Sequence, residues 1–155
     1  MRSRAAIVAA ALAFCLAGPV SAGDQVPFKG SLSGTVTVTP LTPPIASVLI
    51  EATGTATQLG SFTLEVPHTV NQALRTATGT YVFTAANGDT LTASFTGQAT
   101  IVSPGVLSTS ESANITGGTG RFAGASGSFT AERTFIVATG RTTGSFYGWI
   151  TAPNA

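Results

Sequence analysis

From residue 28 onward the chain alternates. Phe28, Gly30, Leu32, Gly34, Val36 and Val38 are apolar or small, and the residues between them are Lys29, Ser31, Ser33, Thr35 and Thr37. A period of two places these sets on opposite faces of a β-strand. The run stops where Pro40, Pro43 and Pro44 deny a ladder its N–H donors. The same alternation predicts further strands over residues 45–57, from 60 through Phe62, Leu64 and Val66, then 74–85, 90–102, 106–115, 128–137 and 144–151. No stretch carries the three-and-four apolar spacing of a helix, and no longer repeat suggests a solenoid or propeller.

Turn chemistry orders these strands. Asn87-Gly88-Asp89, between "TYVFTA" and "TLTASF", tolerates the positive φ of a tight hairpin and makes the fourth and fifth strands neighbours. Asn71-Gln72 and Pro104-Gly105 supply two more turns. Eight strands joined this way predict an all-β domain, a single closed eight-stranded antiparallel barrel, with a two-sheet sandwich as the alternative. Closure removes exposed edges and leaves a lumen for side chains or one small ligand. An outer-membrane barrel would turn its apolar face to lipid and fill its lumen with polar groups. With few charges available and Thr and Ser on one face, the apolar face is better placed inside.

"TGGTGRFAGASG", residues 116–127, contains Gly118-x-Gly120-x-x-Ala123, a form of the dinucleotide fingerprint. That fingerprint has meaning only at the start of a helix. Here "SGSFTAERTFIV" follows, which alternates with period two. The glycines are therefore expected to permit positive φ and close backbone approach in a bulged hairpin between the sixth and seventh strands, with Phe122 folded back as a plug.

Composition changes the picture at the N-terminus. Arg2 and Arg4 precede an apolar run over residues 5–17, too short to span a bilayer, and Val20-Ser21-Ala22 ends it with small residues. Residues 1–22 read as a signal peptide and residues 23–155 as the barrel domain, exported to a secreted or periplasmic location. Of the seven Lys and Arg, two leave with the signal, so five bases stand against six acids. Such a balance gives no electrostatic footprint for nucleic acid, no polybasic arm for an anionic membrane surface, and no membrane-spanning segment after cleavage. Cys15 lies within the signal, so the mature chain carries no disulfide, and Phe14 before it argues against a lipoprotein. One histidine and no mature cysteine leave no zinc site, no nucleophile elbow or calcium loop is present, and no metal or organic cofactor is expected. Asn114-Ile115-Thr116 matches a glycosylation sequon by coincidence of strand residues.

Strand parity nominates inward polar groups. Leu107, Thr109, Glu111, Ala113 and Ile115 share one face, as do Phe129, Ala131, Arg133, Phe135 and Val137. Glu111 and Arg133 are equidistant from Phe122, so a hairpin centred there would pair them across the ladder. His68 continues the face of Phe62, Leu64 and Val66, provided Pro67 does not break it, and Tyr81 continues that of Phe83 and Arg75. The candidate polar residues of the lumen are thus Glu111, Arg133, Tyr81 and His68. Its candidate apolar lining is Phe62, Phe83, Phe95, Phe129 and Phe135. A structural ion pair closing one end of the barrel is the plain reading of Glu111 and Arg133; a ligand site is the other.

The corner "ITGGTGRFAGASGSF" resembles that of plant dirigent proteins and of the wider allene oxide cyclase-like barrel superfamily. "ATQLGSFTLE" and "FTAANGDTL" are similar to segments of small exported bacterial proteins of that barrel type. The resemblance implies an eight-stranded calyx, often a homo-oligomeric trimer in plants, whose apolar cavity holds a reactive intermediate without any cofactor. Its motifs are turn motifs, and no family site residue is carried over to this chain. The leading expectation is a non-catalytic barrel binding a small apolar ligand. A cofactor-free cyclase or isomerase, or a dirigent-like stereochemical guide, is the enzyme-class alternative, and a structural surface or matrix protein is the third.

Overall fold

The computed structural model describes residues 24–153. The expected signal peptide, residues 1–22 with Cys15, lies outside the described residues. Eight strands run in order: β1 (Val26–Pro40), β2 (Ile45–Ala56), β3 (Gly60–Asn71), β4 (Thr76–Ala85), β5 (Thr90–Ser103), β6 (Val106–Gly118), β7 (Ser126–Ile136) and β8 (Arg141–Thr151). Each pairs antiparallel with the next, and β8 returns to β1 through Val26–Ile150 to Thr35–Arg141, closing the barrel. A sandwich is thereby excluded.

Alternation converts directly into inside and outside. Along β3, Phe62, Leu64, Val66 and His68 are buried while Ser61, Thr63, Glu65, Pro67 and Thr69 are exposed. Pro67 does not break the face. It removes one donor, so the β3–β4 partners skip from Glu65–Val82 to His68–Gly79, yet the register on either side of the gap is unchanged.

Several boundaries differ from the sequence expectation. β4 begins at Thr76, two residues late, because Asn71 Oδ1 accepts from the Ala73 and Leu74 amides at 3.1 and 3.0 Å and Arg75 takes a φ of 56°. Such a side-chain-capped turn competes with strand pairing. β8 starts at Arg141 rather than at 144, since its partners on β1 continue to Thr35.

The connection between β6 and β7 departs most. A short 3-10 turn, Gly120–Phe122, stands where a bulged hairpin was expected. The ladder irregularities lie instead between β5 and β6, where partners shift between Thr92 and Ala93 and again between Ile101 and Ser103. Phe122 is fully buried and plugs this end of the barrel. Gly120 has a φ of 58°, and a Cβ there would meet the Asp89 carboxylate, which accepts a hydrogen bond from the Arg121 amide at 3.3 Å. Arg121 also donates to the Leu59 carbonyl at 3.3 Å and lies 4.8 Å over the Phe122 ring, so three turns are tied across the plug.

Five phenylalanines fill the plugged half of the lumen. Phe28, Phe62, Phe83, Phe129 and Phe146 contact one another at centroid separations between 5.1 and 6.1 Å. Their edge-to-face and tilted arrangements add about 0.5–1.5 kcal/mol per pair beyond burial. Tyr81 and Phe95 form the next layer, 5.0 Å apart and edge-on. Above them the aromatic filling ends.

Candidate functional site: a half-open calyx with a polar floor

The other half of the barrel is a cavity of about 640 Å³ that opens between the β1–β2, β3–β4, β5–β6 and β7–β8 connections. Its walls are apolar, with Val48, Ile50, Val70, Ala99, Leu107 and Phe135 among them, and Glu111, Arg133 and His68 line its deep end. Of the five phenylalanines expected to line a cavity, only Phe135 does so. Phe62, Phe83, Phe95 and Phe129 pack into the solid half beneath, because strand parity assigns a residue to the lumen but says nothing of its height along the barrel axis.

Glu111 and Arg133 form the centre of the floor. Glu111 Oε1 accepts from Arg133 Nε at 2.6 Å and Nη2 at 2.5 Å, while Glu111 Oε2 accepts from the Tyr81 hydroxyl at 3.0 Å. Arg133 Nη1 donates to Thr142 Oγ1 at 3.0 Å. All four side chains are buried: Glu111 is 2% exposed, Arg133 7%, Tyr81 0% and Thr142 1%. Buried charges persist only when they are paired and hydrogen-bonded, and this network meets that condition.

The pair is not the directly opposed one expected from the sequence. Glu111 faces Ala131, and Arg133 faces Thr109. The β6–β7 ladder is centred on Arg121 rather than Phe122, because the 3-10 turn distributes its residues unevenly. Parity survives that shift, both side chains point inward, and they meet diagonally, within reach for long side chains.

Three glycines make room for the polar floor. The cross-strand partners of His68, Glu111 and Arg133 on β4, β5 and β8 are Gly79, Gly97 and Gly144. An added Cβ would come within 2.3 Å of His68 Cβ, 2.8 Å of Glu111 Cγ and 2.6 Å of Arg133 Cγ, respectively. Sequence reasoning passed over these glycines and Thr142. The signal available was glycine inside an otherwise regular strand, which marks close approach by another group.

His68 occupies the wall opposite Arg133, on β3. Its Nδ1 lies 2.8 Å from the Val66 carbonyl. A carbonyl can only accept, so Nδ1 carries the proton and Nε2 of the neutral ring is an acceptor. Burial lowers the His68 pKa below the usual value, opposed by the Val66 hydrogen bond and by Glu111, and reinforced by Arg133. Burial also pushes the Tyr81 phenol well above its ordinary value, with Glu111 adding to the effect, so Tyr81 keeps the proton it donates to Glu111. The Phe95 and His68 rings meet edge to face, with centroids 5.5 Å apart. Among the described residues, no three His, Cys, Asp or Glu side chains gather as a metal site would need.

On the outer wall, the β2–β3 register sets Glu51 directly opposite Glu65. Both are exposed. Nothing in the sequence of either strand alone shows this cross-strand pair.

No family model matches the chain and no curated protein matches its sequence. Its likeness to solved structures is in the fold. It superposes on the pterocarpan synthase dirigent protein GePTS1 with a TM-score of 0.56 and 14% identity, over 85% of this chain and 87% of that one. A second such protein, PsPTS1, gives a TM-score of 0.54 and 16% identity, over 83% and 96%. What the chain shares with both is the fold, a closed eight-stranded antiparallel barrel.

Proposed function

We propose that the barrel binds one small, mostly apolar molecule in its open half, with the polar end of that molecule directed to the floor. The observation that supports this reading is the division of the lumen into a solid aromatic half and an open half of about 640 Å³. A volume of that order suits a single small ligand. Apolar walls supply the affinity and the Glu111–Arg133–His68 floor supplies orientation. We take the chain to be exported, as its first 22 residues suggest.

A saturable titration with Nile red, a neutral apolar dye, tests the reading. One dye per barrel is expected to bind, and Ala99→Trp, which fills the cavity from β5, is expected to abolish binding without lowering the melting temperature. Equal binding by the Ala99→Trp variant, or no saturable binding by the parent, overturns the proposal.

One observation favours a catalytic version, a cofactor-free isomerase, cyclase or dirigent-like guide. The His68 ring is held neutral with its Nε2 lone pair available, across the cavity from a fixed guanidinium. A base and an oxyanion-stabilising cation on opposite walls are the minimum for moving a proton on a bound carbonyl compound. Turnover that is lost in His68→Gln while Nile red still binds would select this version over simple carriage.

A further inference from the structure

Folding gathers apolar residues that the sequence scatters. Among the described residues, the large hydrophobic side chains left exposed are Val38, Leu41, Leu74, Ile101, Val102, Ile136 and Val137, together with Tyr147 and Trp149 on the outer face of β8. The first seven all lie at the mouth: Val38 and Leu41 on the first hairpin, Leu74 on the second, Ile101 and Val102 on the third, Ile136 and Val137 on the fourth. No hairpin tip at the plugged end carries one. A cluster of exposed apolar side chains gathered at one end of the barrel marks a contact site.

Charge and continuity indicate what the rim contacts. The charged residues at these four tips are Arg75 and Arg141, both basic, while Glu111 is paired in the lumen floor and the other acids lie on the outer wall or at the plugged end. Val38, Ile101 and Val137 belong at once to the exposed rim and to the cavity wall, so the apolar surface runs unbroken from outside into the lumen. A second copy docked mouth to mouth would seal both cavities and oppose like charges. A lipid surface would instead continue the apolar lumen into a phase where apolar molecules reside.

We infer that the mouth of the barrel docks on a phospholipid bilayer through its ring of apolar hairpin tips, with Arg75 at the headgroups and Arg141 just below them on the outer wall, where its Nη2 lies 3.5 Å from Ser33 Oγ. The chain spans nothing in this arrangement. It sits on the surface, as amphipathic elements do when apolar area and basic charge act together. No polybasic arm is needed, because the apolar ring supplies the main attraction. Docking does not depend on the cavity being filled, although a cavity that binds apolar molecules would load and empty through this face.

The test is co-sedimentation of the purified chain with vesicles of phosphatidylcholine, and of phosphatidylcholine mixed with phosphatidylglycerol, alongside Leu41→Asp/Leu74→Asp/Val102→Asp. The parent is expected to sediment with both, more with the anionic mixture, and the triple variant to partition at least about tenfold less. These three side chains are mostly solvated, so the variant keeps its fold, checked by an unchanged melting temperature, and keeps Nile red binding if the cavity is the dye site. Failure of the parent to sediment overturns the proposal. Equal sedimentation of the variant also does, by placing lipid affinity elsewhere in the chain. So does a soluble oligomer that the triple variant dissolves into monomers, which would make the rim a contact between copies.

Discussion

Arg133 reaches Glu111 along a diagonal of the β6–β7 ladder, with both its Nε and its Nη2 on the same carboxylate oxygen. Removing one partner of such a buried pair leaves an uncompensated charge. Arg133→Met is expected to cost about 3–5 kcal/mol in denaturant unfolding, whereas Glu111→Leu/Arg133→Met costs much less than the two single changes together. Additive losses would show that the two side chains do not depend on each other.

Tyr81 gives the barrel an alkaline limit. Its phenol has a raised pKa in the folded state, so its contribution is complete below the unfolded value near 10 and is lost as pH rises beyond it. Stability is expected to fall above about pH 10, and to fall less steeply in Tyr81→Phe. At neutral pH that substitution costs about 1–3 kcal/mol, because Glu111 Oε2 loses its donor. Parallel pH profiles for the two proteins would contradict the assignment.

His68 is the only histidine in the chain, so a single imidazole signal reports on the floor. Its folded pKa lies below 6.5, and the stability it contributes is present above that value and is lost as pH falls through the folded pKa. Proton NMR titration is expected to place the midpoint under 6.5, with Glu111 and Arg133 the charged groups that face the ring. A midpoint at or above 6.5 would mean that the ring is solvated rather than held in the wall.

Gly97→Ala tests whether the interior glycines serve the floor. At a site with room for the methyl the change stabilises by about 0.4–1 kcal/mol. Here the new methyl lies 2.8 Å from Glu111 Cγ. The expected loss is about 1–3 kcal/mol, as for other overpacked sites. A neutral result would show that Glu111 has space to move.

Glu51 and Glu65 oppose one another on the outer wall. Replacing one removes a like-charge cross-strand pair, so Glu65→Thr is expected to stabilise the barrel by about 0.2–1 kcal/mol, less at high salt. Destabilisation in low salt would indicate that something else holds the two carboxylates together.

How far these features could be read in the chain depends on which coordinate they need. Strand identity and face need only a period of two, and the alternation from Phe28 to Val38 or from Phe62 to His68 supplies it. Hairpin order needs only turn residues such as Asn87-Gly88. Height along the barrel axis is different, since it arises from strand tilt and register accumulated around the ring. Nothing local in Phe62 or Phe135 says that one is packed into a solid half and the other walls a cavity. Register across β6 and β7 failed for a similar reason, because a turn of unusual shape moved the centre of the hairpin by one residue. The apolar mouth was hidden most completely, as its residues come from four separate turns.

The closure of β8 onto β1 carries a consequence for handling the molecule. An even number of up-and-down strands brings the chain into β1 and out of β8 at the same end, the one plugged by Phe122. Whatever is attached before Val26 or after Thr151 therefore hangs from the plug. A barrel immobilised by either terminus presents its mouth to the solution, and a reporter fused to either terminus stands clear of whatever the mouth touches.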